Sequence, residues 1–327
     1  MKRQQKVLSH TLKTGPSEEK LLQIAKEVIT TYTKGKQVVV AFSGGMDSTL
    51  ALLIAREVID DIIAVHIDWG DFTYEEIRKR VKNIVRSFHI PLHIIHGEEK
   101  LKELAYRGIS CNTCSRKIKL ATIKEYYPDA IIITGANKSD SWGRGGIYLN
   151  PPYLAPLKDF SKDIEEKILR ERYGITDFHI GVHPEREGCI LRHLWMPDRD
   201  GTKVSAAAEA NRTLLKILNQ YNWTHYMANA KAIGNSKSIK LIVNVLPTLP
   251  DSIRKDIEKQ LSHIGTTLWG DNISLLKVVI NPSLDTPSGK ESIGHIIKSE
   301  MMNPYVEIEF IRSKTDFIRL FQVVDAT

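Results

Sequence analysis

Apolar positions along this chain follow two rhythms. Short, nearly continuous apolar runs at Gln37–Val40, Ile62–Asp68, Leu92–Ile95 and Ala130–Thr134 predict buried strands. Between them, apolar residues recur at three- and four-residue spacing and predict helices. These cover residues 17–33, the stretch from Leu50 to Ala55, Glu75 to Phe88, Lys100 to Tyr106 and Lys117 to Tyr127. Ser17 is a good N-cap for the first, with Glu18 and Glu19 in its first turn. Strand and helix alternate, and the strands have no polar face. That pattern predicts an α/β fold, a parallel sheet covered on both sides.

Residues 150–159 read as extended and irregular, and Ser161 as the cap of a helix running to about Arg172. The rhythm changes after about residue 205. A helix Ser205–Gln220 and an irregular basic stretch to Lys240 come first. Then follow strand Lys240–Leu246, helix Asp251–His263, strand Ile273–Ile280, helix Lys290–Met301, and strands Tyr305–Ile311 and Phe317–Val324. This predicts a C-terminal α+β unit, with a ferredoxin-like sandwich as the expected form. The expected organisation is an N-terminal helical extension (1–35), a nucleotide-binding domain (36–204) and an α+β domain for substrate or RNA (205–327).

The chain has 327 residues, a formal net charge of +7 and a pI of about 9.1. That balance permits a polyanionic partner without establishing one. No uncharged apolar run of membrane-spanning length occurs, and no apolar core follows the basic start, so a cytoplasmic protein without a membrane partner is expected. Only three cysteines are present, Cys111, Cys114 and Cys189. An odd count in a cytosolic protein argues against a disulfide framework and for metal, cluster or thiol chemistry.

The segment Ala41-Phe42-Ser43-Gly44-Gly45-Met46-Asp47-Ser48-Thr49 joins the first strand to the next helix. Two glycines allow a sharp turn and a close backbone approach. The serine hydroxyls, the loop N–H groups and the positive end of the helix all favour phosphate. Asp47 would repel phosphate, so it is expected to hold a metal ion or orient the loop. The kinase-type P-loop pattern does not occur here, which disfavours γ-phosphate transfer.

This stretch resembles SGGxDS, the signature of the PP-loop, or N-type ATP pyrophosphatase, superfamily. The resemblance implies cleavage of ATP between its α- and β-phosphates and transfer of AMP to a substrate oxygen, which a nucleophile then displaces. Gly135-Ala136-Asn137-Lys138-Ser139-Asp140 resembles the segment that closes over the nucleotide in that superfamily. Ala155-Pro156-Leu157-Lys158-Asp159-Phe160 and Tyr173-Gly174-Ile175 resemble a further shared stretch, so the likeness covers roughly residues 36–176. It implies that Ser43, Gly44, Gly45, Asp47 and Ser48 hold pyrophosphate and Mg2+. Ala41, Phe42, His66, Ile67, Asp68 and Gly135 would then flank adenosine, and Arg144 and Lys158 would neutralise phosphate. Asp68 is equally readable as a strand-end turn residue, and the last two as solvated surface residues. The glycine-rich stretch 141–146 is expected to be mobile without ligand.

A CxxC pair, Cys111-Asn112-Thr113-Cys114, plus the distant Cys189 is similar to the three-cysteine tRNA 2-thiolation enzymes of this superfamily. That resemblance implies a [4Fe-4S] cluster with one open iron, a tRNA or other nucleobase-containing substrate, and a sulfur donor, either sulfide or a persulfide carrier. It also leaves a homodimer open. Catalytic roles would fall to Cys114, Cys189 and Asp47. The chain lacks the extra zinc-finger cysteines of the uridine-type enzymes, and the surroundings of Cys189 match no diagnostic motif. Alternatives stay open: a Zn2+ site completed by His193 or His183, persulfide or disulfide chemistry at Cys114 or Cys189, and an incidental pair. The histidines His89, His93 and His96 and the turn Asp198-Arg199-Asp200-Gly201 carry little metal signal. Trp223, His225 and Tyr226, near Lys231, Lys237 and Lys240, read either as a nucleic-acid stacking surface or as a half-buried aromatic edge.

The leading expectation is therefore an ATP-dependent sulfurtransferase that replaces a carbonyl oxygen of a tRNA base with sulfur. The competing expectations are an amide or C–N ligase of the NAD-synthetase or tRNA-lysidine-synthetase type, and sulfur insertion into a small-molecule cofactor.

Overall fold

The structure, a computed structural model, describes residues 17–108, 110–139, 152–176, 189–235 and 238–327. Helix α1 (Glu18–Thr33) starts at Ser17, whose side chain accepts from the Lys20 N–H. Strands β1 (Val38–Ala41), β2 (Ile62–Asp68), β3 (Leu92–His96), β4 (Ile131–Ile133) and β5 (Tyr153–Leu154) form one sheet in the order β3-β2-β1-β4-β5. All its pairings are parallel, with Val38 opposite both Ile62 and Ile131. Strands β2 and β3 lie on one side of β1, and β4 and β5 on the other, so the crevice between the ends of β1 and β4 is the natural ligand site.

The alternation along β1 explains the two layers. Val38 and Val40 point into a core with α1, α2 (Met46–Val58), α3 (Glu75–Ser87) and α7 (Lys162–Tyr173). Val39 points the other way, into a core shared with α4 (Glu98–Ala105), α6 (Ala121–Tyr126) and α8 (Thr202–Gln220). That second core runs on without a break into strands β6 (Met227–Asn235) and β7 (Ser238–Leu246).

The remaining strands correct the sequence reading. The stretch before Lys240 is not irregular: β6 pairs antiparallel with β7, and β7 pairs parallel with β8 (Thr266–Trp269). A separate sheet has the order β10-β9-β11, built from β9 (Leu275–Ile280), β10 (Glu307–Arg312) and β11 (Phe321–Ala326). Helices α9 (Asp251–Leu261) and α10 (Pro287–Lys298) complete the described part. Two three-stranded sheets with mixed pairing replace the single antiparallel sheet of a ferredoxin-like sandwich. Among the described residues, no helix is long and apolar enough to cross a membrane.

Candidate functional site

The turn after β1 is shaped by its glycines. Gly44 has φ +80°, and a Cβ there would sit 2.8 Å from Val81 Cγ2. Gly45 then occupies the N-cap of α2, which places Asp47 and Ser48 in the first helical turn. The Ser43 N–H donates to Ser48 Oγ at 3.2 Å, the two serine hydroxyls are 3.0 Å apart, and Ser48 Oγ donates to Gly45 O at 3.1 Å. The loop is thus braced from inside, with hydroxyls and helix-start N–H groups gathered for an anion. Gly135, just beyond β4, lies so close that a Cβ would stand 2.6 Å from the Ser48 nitrogen.

A cavity of about 530 Å³ opens over this loop. It is lined by Ala41, Phe42, Ser43, Gly45, Asp47, Ser48, His66, Ile67 and Gly135, all anticipated from sequence. Cys111 and Cys189 line the same cavity, with Ser115 and Lys119. Cys114 is buried beside them, and none of the three cysteines is in a disulfide. The pair does not precede a helix, as expected from sequence, but lies within one. Helix α5 (Cys111–Thr113) passes into a π-helical stretch, Cys114–Leu120, and then into α6. Such wide turns re-aim side chains and recur at functional sites. Burial pushes the Cys189 thiol up to about 12 and the Cys114 thiol upward as well, while the Lys119 ammonium opposes both shifts.

His66 is nearly fully buried, and its Nδ1 lies 3.0 Å from Phe42 O. A carbonyl can only accept, so Nδ1 carries the proton and Nε2 presents a lone pair. Nε2 meets no hydrogen-bond partner among the described residues. Burial depresses the ring's proton affinity, which keeps it neutral.

Asp47 does not stand alone. Lys162 forms an ion pair with it, and the carboxyl of Glu165 lies against it with no solvent exposure. Glu165 Oε1 accepts from Asn137 Nδ2 at 2.9 Å. Burial, and then the Asp47 charge, hold Glu165 well above the usual carboxylate range, so it keeps its proton at neutral pH.

Other anticipated residues fall outside the cavity wall. Asp68 accepts two 2.8 Å bonds from Arg78 and one of 2.9 Å from the Gly70 N–H, which makes it a strand-end turn residue. Burial acts to raise its pKa, but the Arg78 bonds outweigh it and leave the carboxyl below its ordinary value. Lys158 pairs with Asp159 at 3.6 Å and does not line the cavity. Arg144, the stretch 141–146 and His183 lie outside the described residues. His193 is no spare zinc ligand. Its Nε2 lies 3.1 Å from Tyr74 Oη and its Nδ1 3.1 Å from Lys231 Nζ. Lys231 is fully buried, so it belongs to no RNA-facing surface.

Sequence reasoning missed Arg80, Lys119 and Glu165. Arg80 lines the cavity and donates to Gly44 O at 3.4 Å. It falls on the apolar face of α3 with Ile77, Val81 and Ile84, and a cation at that phase was a usable signal.

A family model described as queuosine biosynthesis protein QueC matches residues 37–126, from β1 through α6. A glutamine-hydrolysing GMP synthase of Ehrlichia canis is 27% identical over 241 residues, 64% of this chain and 45% of that protein. Both matches indicate the PP-loop ATP pyrophosphatase superfamily. An uncharacterised protein of Methanocaldococcus jannaschii is 35% identical over 124 residues, 35% of this chain and 26% of its own length. The matched stretches thus span less than half of these relatives. An NH3-dependent NAD synthetase from Campylobacter jejuni, solved with a nitrate ion, superposes with a TM-score of 0.40 at 16% identity. That overlay covers 47% of this chain and 73% of the synthetase. The stretch matched by the QueC model takes in the Ser43–Ser48 loop that floors the cavity.

Proposed function

We propose that this PP-loop enzyme is an ATP-dependent sulfurtransferase acting on a nucleobase carbonyl, with tRNA as the substrate class. One observation carries the reading: Cys111 and Cys189, far apart in sequence, line the cavity that the Ser43–Ser48 loop floors, and Cys114 is buried beside them.

The carbonyl oxygen attacks the α-phosphorus of ATP, and pyrophosphate leaves. The loop N–H groups, Ser43, Ser48 and Arg80 receive the negative charge that develops. Hydrosulfide, or a persulfide borne on Cys114 or Cys189, then adds to the activated carbon, and AMP departs with the former carbonyl oxygen. In the persulfide case a second cysteine thiol closes a disulfide with the carrier and frees the new thiocarbonyl.

Three thiols fit a [4Fe-4S] cubane in number and kind, and Cys111, Cys114 and Cys189 would hold it. As they stand, no group of three or more His, Cys, Asp or Glu among the described residues is arranged to hold a metal ion. His193, committed at both ring nitrogens, is not available as a fourth zinc ligand. Asp47, backed by Glu165, would hold Mg2+, which would neutralise phosphate charge. The basic charge balance suits an RNA partner.

The likeness to glutamine-hydrolysing GMP synthases favours a second reading, in which an amine replaces sulfur as nucleophile. That reaction makes no demand on thiols. Incubation with radiolabelled sulfide, Mg-ATP and unmodified bulk tRNA separates the two. Label in the RNA, dependent on ATP and lost in Cys111→Ser and Cys189→Ser, supports the first. AMP formation driven by ammonium, unaffected by either substitution, would sink it.

A further inference from the structure

Lys231 is fully buried on β6, and its ammonium is held by a network that no part of the proposed chemistry uses. It pairs with Glu300, just beyond the end of α10, and stands 5.0 Å over the Trp195 ring. Its Nζ lies 3.1 Å from His193 Nδ1. An ammonium only donates, so Nδ1 accepts, and the His193 Nε2–H donates to Tyr74 Oη at 3.1 Å. Arg192 Nε donates to the other Glu300 oxygen. Tyr74, His193 and Glu300 are all at most 6% exposed.

Placement distinguishes this network from ordinary core polarity. Arg192 and His193 belong to the short 3₁₀ turn Ile190–His193, whose N-cap is Cys189. The Arg192 N–H donates to Cys189 O at 2.9 Å, which ties the cysteine's backbone into the turn. Tyr74 follows Thr73 and precedes Ile77, both in the cavity wall. Two branches of the network therefore end beside segments that line one cavity, and the third at the C-terminal part of the chain. Buried ion pairs are seldom needed for stability, since apolar residues of similar volume often replace them without loss.

We infer that Lys231 and Glu300 are positioning residues that hold the Cys189 turn against the cavity, so that the C-terminal part of the chain sets where this thiol stands. The inference rests on the reading that Cys189 works at this site, but its test needs no turnover.

The measurement is the alkylation rate of Cys189 divided by that of Cys111 in the same molecule, read by peptide mass spectrometry. The variant is Lys231→Met combined with Glu300→Leu, checked for an unchanged thermal midpoint and ATP affinity. The expected result is a rise in the ratio of about threefold or more, because the freed turn exposes Cys189. Glu300→Asp keeps the charge but shortens the arm. It replaces the double variant if that chain misfolds, and a smaller rise is expected from it. A folded variant whose ratio matches the parent overturns the inference. The alkylation ratio does not depend on sulfur transfer, so failure of the proposed function and failure of this inference are read separately.

Discussion

Gly135 and the Ser48 backbone nitrogen are in such close contact that even one added carbon would be 2.6 Å from that nitrogen. The end of β4 thereby presses on the first turn of α2, and the two halves of the crevice are set by one missing side chain. Gly135→Ala must push the loop or the strand aside, because its neighbours there are backbone atoms of Asp47 and Ser48. A loss of about 1–3 kcal/mol in stability is expected from overpacking of this kind. ATP affinity should fall with it. Thermal unfolding and an ATP titration check both, and an unperturbed variant would show that the approach is looser than described.

Glu165 provides a pH signature. Its carboxyl binds a proton more tightly in the folded chain than in the unfolded one, owing to burial and to Asp47. Above the ordinary carboxylate value the unfolded chain has released this proton while the folded chain keeps it. Stability therefore declines as pH rises from that value through neutrality. Glu165→Gln removes the effect. In metal-free buffer, its stability relative to the parent should improve steadily between about pH 5 and pH 8. A difference that does not change with pH would mean that Glu165 is ionised.

His66 should show the opposite sign. Burial holds its pKa below the ordinary 6.5. As pH falls through that value the unfolded ring takes a proton first, so stability is lost on the acid side. Nitrogen-resolved spectra of the free protein at neutral pH should report a neutral ring protonated at Nδ1, as the Phe42 carbonyl requires. An Nε2-protonated or charged ring would contradict the geometry.

What could be read from sequence was what depends on neighbours along the chain. Ser17, the strand carrying Val38–Val40 and the Ser43–Ser48 turn follow from local pattern, and each stands where that pattern put it. Strand β6 was missed because both its faces are buried, so no alternation marks it. Its Ala228, Ala230 and Ala232 also have weak strand preference, and Lys231 and Asn229 look like surface residues. Glu165 was missed for a different reason. Its neighbours on α7 are charged, and only the fold brings that helix against Asp47. The meeting of Cys189 with Cys111 is likewise tertiary, because nothing in the spacing encodes which wall a distant thiol will join.

If the thiols and the nucleotide share one cavity, bound ATP must shield the cysteines, and alkylation of Cys111 and Cys189 with and without Mg-ATP measures that shielding. Protection of both cysteines is predicted, half complete at the ATP concentration that half-saturates binding. Alkylation rates that stay unchanged at saturating ATP would contradict it, and would leave the PP-loop without a connection to the cysteines.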